Sequence, residues 1–197
     1  MARTEWSARD RIVYSAAQLI RTQGVSATGL REIVAHAKAP RGSLQHYFPG
    51  GKEQLVREAL NWAGEFAGGR IAHFMARLDP PTPAGLFTAM VDQWRTEFAA
   101  KGFDRGCPLV AATADTAAAS ESLRQVASAA FADWQQPVGA ALVTMGVPQA
   151  RADSLALLMI SALEGAIVLA RAHRDAGPLD AVVAELGPLL DEAARPL

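Results

Sequence analysis

TGLREIVAHAKAPRGSLQHYF, residues 28–48 of a 197-residue chain, decides the fold. Leu30, Ile33, Val34 and Ala37 recur at helical spacing, so one face of a first short helix turns inward. Thr28 stands where a hydroxyl caps the orphan backbone N–H groups of that helix. Pro40 disfavours helical geometry at Ala39 and stops it, while proline is tolerated where the next helix starts. A second helix is therefore expected over 41–47. Gly42 has no side chain near its start, which leaves the backbone open to close approach. Two short helices around a tight turn, the second basic and aromatic, read as a helix-turn-helix: the first braces and the second enters a DNA major groove.

Working outward, Ser7 is placed to cap a helix over 8–23, with Ile12, Val13, Ala16, Ala17 and Ile20 inside and Gly24 as its stop. Residues 1–6 are expected to be a frayed arm. Phe48 is expected to plug the three-helix core, and Pro49-Gly50-Gly51 turns the chain. A long helix over 52–78 follows, with Leu55, Val56 and Leu60 packing back on the head. Gly64, Gly68 and Gly69 interrupt it, as a bend or as points of close packing. After Asp79-Pro80-Pro81-Thr82-Pro83, helices are expected over 84–100, 107–118, 120–145 with a kink at Pro137, 149–175 and 179–194. No strand pattern and no repeat is visible. The fold class is all-α, with about nine helices: a three-helix head over 1–51 and a helical body over 52–197.

The net charge is −1, but residues 1–60 carry nine Lys/Arg against five Asp/Glu and 61–197 carry ten against fifteen. A basic head on an acidic body suits a polyanion-binding module. The single cysteine excludes an intramolecular disulfide and a cysteine zinc cluster. No apolar run opens the chain, so no secretory leader is expected. Leu155 to Ala172 is almost long enough to span a membrane, yet Glu164 sits at its centre. A buried or interfacial helix is the expectation, without membrane contact.

The stretch RGSLQHYFPGGKEQL, residues 41–55, resembles the recognition helix and following helix start of the TetR family of bacterial transcription regulators. Gly42, Ser43, Leu44, His46, Tyr47, Phe48 and Lys52 match the family pattern. Pro40 and Gln45 stand where the family often has Ser/Thr and Tyr; an amide at 45 can read adenine N6 and N7. RGCPLVAATADTA (105–117) and SALEGAIVLARAHRDAGPLDAVVAELGPLL (161–190) resemble the body of the LmrA/YxaF-like branch of that family.

The resemblance implies a TetR-like chain whose body binds an effector and dimerises. It assigns DNA contact to Thr28, Arg41, Gly42, Ser43, Gln45, His46, Tyr47 and Lys52, with Thr28, Tyr47 and Lys52 toward phosphates. It pairs the last two helices with their copies. There Ser161 with Gly165 and Ala162 with Ala166 are small residues one turn apart, and Val182, Val183, Leu186 and Leu190 line the last helix. It also implies an apolar cavity for a small hydrophobic or aromatic effector. Trp62, Phe66, Met90, Trp94, Phe98, Phe131, Trp134 and Met159 are its candidate lining, and core packing is the other reading for each.

The function implied is a cytoplasmic, homodimeric, ligand-responsive repressor that binds a palindromic operator and is released by its effector, with a transcriptional activator or dual regulator as the alternative. An all-helical enzyme or carrier using Cys107 is the reading from another class, but no triad, phosphate loop or metal set supports it. No cofactor and no metal is expected. Cys107 at a helix start is open to redox sensing or to simple burial, and Glu164, if buried, needs a polar partner.

Overall fold

Nine segments fold as helices among the described residues, 6–40 and 42–195 of a computed structural model. They are α1 (Ala8–Ala27), α2 (Leu30–His36), α3 (Ser43–Tyr47), α4 (Gly51–Met75), α5 (Pro83–Lys101), α6 (Pro108–Thr116), α7 (Glu121–Thr144), α8 (Gln149–His173) and α9 (Gly177–Glu192). No strand occurs among the described residues. Contacts group the chain into two compact units: Met1–Gly64 with Pro108–Phe131, and Glu65–Cys107 with Ala132–Leu197. The division expected from the sequence, 1–51 and 52–197, is a different cut from this grouping. Of the arm expected over 1–6, all but Trp6 lies outside the described residues, as does Arg41.

In the first unit Ser7 caps α1 as expected. Its hydroxyl oxygen accepts the Asp10 N–H at 3.1 Å, and the Asp10 carboxylate accepts the Ser7 N–H at 3.3 Å, a reciprocal capping box. Ile12, Ala16 and Ile20 are fully buried along one face of α1. Gly24 breaks helical geometry at φ +82°, a conformation open to glycine at little cost. Thr28 is not the cap of α2 that the sequence suggests. Its hydroxyl donates to Gly24 O at 2.6 Å, the residue is buried, and Gly29 stands at the N-cap of α2 without a side-chain cap. A threonine hydroxyl takes a carbonyl four residues back as readily as it caps the next helix.

The turn before α3 also differs from expectation. Ser43 N–H donates to Pro40 O at 3.0 Å, and among the described residues α3 starts at Ser43 rather than at the expected 41. Phe48 is fully buried and plugs the head, joined by Ile33, Val34, Leu55, Val56 and Leu60. The guanidinium of Arg9 lies over the Phe48 ring, 5.6 Å from its centre, and pairs with Glu58 at 2.6 Å. α6 packs along α1 and buries Leu109 and Ala112. The rings of Trp6, Tyr14 and Trp62 meet edge to face at 5.1 and 5.4 Å through Tyr14.

In the second unit α5 starts on a Thr82 cap, its hydroxyl oxygen accepting the Gly85 N–H at 3.0 Å, with Pro83 in the first turn. Leu86, Phe87, Met90, Val91, Trp94 and Phe98 form its buried stripe, as the periodicity predicts. α9 packs on α5 and on α8. Asp191 accepts the Ala84 N–H at 2.9 Å, and Arg95 joins Asp92 and Asp180 at 2.6 and 2.9 Å. α7 continues through Pro137 and α9 through Pro188. By length and composition α8 could cross a membrane, with a mean hydropathy of 1.9; half of that window is buried, including Glu164.

Two of the glycines of α4, Gly64 and Gly68, are points of close packing. In the first unit a Cβ at Gly64 would lie 2.6 Å from the Ala130 carbonyl oxygen; in the second, one at Gly68 would lie 2.7 Å from that of Asp133. Gly69 meets nothing within 4 Å. Gly64→Ala and Gly68→Ala should therefore each destabilise the protein by about 1–3 kcal/mol through overpacking. Gly69→Ala should stabilise it by up to about 1 kcal/mol through helix propensity. Urea denaturation followed by circular dichroism separates them, and a uniform effect at all three positions would contradict the packing argument.

Candidate nucleic-acid interface

Five residues of helix are too few to fold alone, because nucleation costs more than one turn returns. α3 is instead held by its neighbours: the Phe48 N–H donates to Leu44 O at 2.8 Å, and the buried Phe48 ring fixes its C-terminal end. This leaves Gln45 and His46 exposed, with Ser43 and Tyr47 half-buried. The His46 and Tyr47 rings meet edge to face at 4.8 Å. Gly42 is exposed, and a Cβ there would meet nothing within 4 Å, so the chain itself does not require glycine. Openness to an outside backbone remains the reading for it. Arg41, assigned to the same surface from the sequence, lies outside the described residues.

The two residues expected beside α3 behave differently. Thr28 is only 1% exposed and its hydroxyl is committed to Gly24. It shapes the α1–α2 linker rather than offering a hydroxyl to a phosphate. Lys52, in the first turn of α4, is half-buried, with its ammonium donating to Ser26 O at 3.4 Å. Ser26 is a focus that sequence reading missed. Its N–H and its hydroxyl donate to the Asp115 carboxylate of α6 at 2.6 and 2.9 Å. Those two donors hold the Asp115 carboxyl below the ordinary aspartate range, against a smaller opposing effect of desolvation, and the Val25 N–H and the Lys52 charge add to them. An acid in the last turn of a helix is the available sequence signal, because the helix dipole disfavours it there.

The effector candidates fall in both units. Met90, Trp94, Phe98, Trp134 and Met159 are buried in the second unit, where the Trp94 and Phe98 rings lie 5.7 Å apart. Trp62 belongs to the first unit with Trp6 and Tyr14; Phe131 is half-buried there, and Phe66 is 47% exposed. No group of three His, Cys, Asp or Glu side chains forms a metal-ligand set among the described residues. Cys107 is buried just before α6.

The dimerisation candidates divide as well. Ser161 and Gly165 are exposed, and Ala162, Val182, Val183 and Leu186 are half-buried. Ala166 and Leu190 are spent on the core of their own chain, at 2% and 0% exposure. Leu157, Leu158, Val168 and Leu169 were missed, and all four are exposed. With Ser161 and Gly165 they make a stripe at helical spacing along α8. Its sequence signal was hidden because α8 is apolar almost all round.

Residues 12–59 match the family model for bacterial regulatory proteins of the tetR family. Residues 83–185 match the model for the C-terminal domain of LmrA/YxaF-like transcriptional regulators. The chain is 38% identical over 187 residues to the HTH-type regulator Rv0196 of Mycobacterium tuberculosis, covering 92% of this chain and 93% of the relative. It is 31% identical to the HTH-type transcriptional regulator LmrA of Bacillus subtilis, covering 87% and 90%. Among solved structures, a TetR regulator from Legionella pneumophila superposes with a TM-score of 0.81 at 20% identity, over 95% of this chain and 99% of that one. One from Chloroflexus aurantiacus superposes at 0.75 with 27% identity, over 96% and 97%.

The Ser26–Asp115 pair carries a titration prediction. A carboxyl held low by hydrogen bonds favours the folded state above the pKa it has when unfolded, and that contribution is lost as pH falls through its folded pKa. Carbon-detected NMR should show Asp115 titrating below the ordinary aspartate range, and Ser26→Ala should move it upward. An ordinary value in both proteins would mean that the pair does not form in solution.

Proposed function

Because the chain belongs to the TetR family of bacterial transcription regulators, in its LmrA/YxaF-like branch, we propose that it acts as a homodimeric repressor released by a small effector. It is a DNA-binding regulator and not an enzyme, as its family and relatives are. Two heads read a palindromic operator in the cytoplasm. α3 presents Gln45 and His46 toward base edges, with Ser43 and Tyr47 beside them. Lys52 supplies a phosphate contact at the start of α4, where backbone N–H groups also favour an anion.

The observation that carries the dimer is the exposed stripe on α8. Leu157 is 56% exposed, Val168 46% and Leu169 51%, with Leu158 beside them. Gly165 lies in the same stripe, and a Cβ there would meet nothing within 4 Å of its own chain. Large apolar side chains left wet beside small residues suit a self-complementary surface onto which a second copy of α8 packs closely. α9 joins it through Val182, Val183 and Leu186, making four helices from two chains. One α3 covers only a few base pairs, so two heads on half-sites about 34–36 Å apart supply the specificity.

The effector proposed is flat and hydrophobic or aromatic, suited to the side chains of Met90, Trp94, Phe98, Trp134 and Met159. It releases DNA only through a difference in its affinity for the two states. Moving the population from 1:99 to 99:1 takes about 5.5 kcal/mol.

Fluorescence anisotropy on a labelled duplex from the chain's own upstream region, at two salt concentrations and against a scrambled duplex, tests the reading. Selective binding with a steep salt slope is expected; equal weak binding to both, and to every fragment of a genomic selection, would end it. Lys52→Ala should weaken binding evenly across sequences and reduce the salt slope by about one. Leu157→Glu with Leu169→Glu should give a folded monomer in sedimentation, with selective binding reduced about a hundredfold or more. A double variant that stays dimeric would remove α8 from the interface.

A further inference from the structure

Ser26 is held by three of its own groups. Its N–H and hydroxyl donate to Asp115, 89 residues away in sequence, and its carbonyl accepts from Lys52. Gly24 complements the arrangement: its φ of +82° turns the chain there, and a Cβ would lie 3.2 Å from Asp115 Oδ2. Thr28 closes the same segment by its bond to Gly24 O, and Gln23 Nε2 reaches Ala27 O at 3.3 Å and Glu32 at 2.9 Å. The last turn of α1, beyond the break at Gly24, therefore has a defined course. Asp115 gives α6 nothing locally, because an acid in the last turn opposes the helix dipole. A residue that breaks a local rule and meets charge-assisted donors on another element is placed for that element.

We propose that Asp115 is a positioning residue for DNA recognition, clasping the last turn of α1, beyond the Gly24 break, to α6 and so fixing the angle at which α2 and α3 follow it. This rests on the DNA-binding reading above. Asp115 touches no base and no phosphate. It acts through Ser26, whose orientation sets the start of α2 and, through α2, the placing of α3. The sign of the effect makes the proposal decidable. Asp115 lies in the electrostatic neighbourhood of Lys52. Removing a negative charge there would, by electrostatics alone, strengthen binding to a polyanion. Loss of the clasp must instead weaken selective binding.

The experiment compares the full-length protein with Asp115→Ala, Asp115→Asn and Ser26→Ala, by anisotropy on the selective and the scrambled duplex at two salt concentrations. Circular dichroism checks each fold. Asp115→Ala should lose about tenfold in selective affinity, with unspecific binding and the salt slope unchanged. Asp115→Asn keeps an acceptor for the Ser26 N–H and should restore most of that loss. Ser26→Ala should show a smaller loss that does not add to that of Asp115→Ala. Wild-type or tighter selective binding by Asp115→Ala overturns the clasp, and so does an equal loss on both duplexes. If Asp115→Ala does not fold, Ser26→Ala decides alone: selective loss supports the clasp and unchanged selectivity overturns it. Absence of selective binding by the wild type to any genomic fragment would instead overturn the DNA-binding reading on which the clasp rests.

Discussion

A helix of five residues cannot exist by itself, and the first unit is arranged around that constraint. Fixing the first turn of a helix costs several backbone dihedrals for one hydrogen bond. α3 overcomes this with the buried Phe48 ring rather than with its own propensity. The ring needs α1 and α4 around it, which is why Arg9 lies over its face and Glu58 holds Arg9. Ile33 and Val34 of α2 complete the enclosure. The residues facing outward from α3 are therefore free to be chosen for recognition, since stability comes from the side chain just beyond its end.

Apolar periodicity made most of this architecture legible. Ser7 as a cap, the stripe from Leu86 to Phe98, Phe48 as a plug and the breaks at 79–83 and 146–148 all follow from local rules, which the structure satisfies locally. Thr28 was misread because a hydroxyl has two legitimate partners. Which one it takes depends on the backbone course at Gly24, which brings that carbonyl within reach of the hydroxyl. The α4 glycines were undecided for a related reason: composition cannot say that Ala130 and Asp133 carbonyls lie under Gly64 and Gly68.

The candidate site was legible in proportion to how local it is. The exposure of Gln45 and His46 follows from the helix-turn-helix pattern itself. The outward face of α8 does not, because Leu157 and Leu169 look no different in sequence from the buried Leu155 and Leu163. Ala166 and Leu190 were assigned outward by spacing and are used inward. The aromatic residues were hardest, since a large ring is as suited to a core as to a cavity. Trp62 meets the Tyr14 ring edge to face, while Phe66 keeps 47% of its surface exposed.

The aromatic cluster of the first unit also gives the molecule an optical property. Of the four tryptophans, Trp6 and Trp62 keep part of their indoles in water beside Tyr14, while Trp94 and Trp134 are buried in the second unit. Indole emission shifts to the blue as water is withdrawn from the ring, and a soluble quencher reaches wet indoles first. The chain thus carries two intrinsic chromophore populations, one in each unit, and unlabelled protein reports on the surroundings of both.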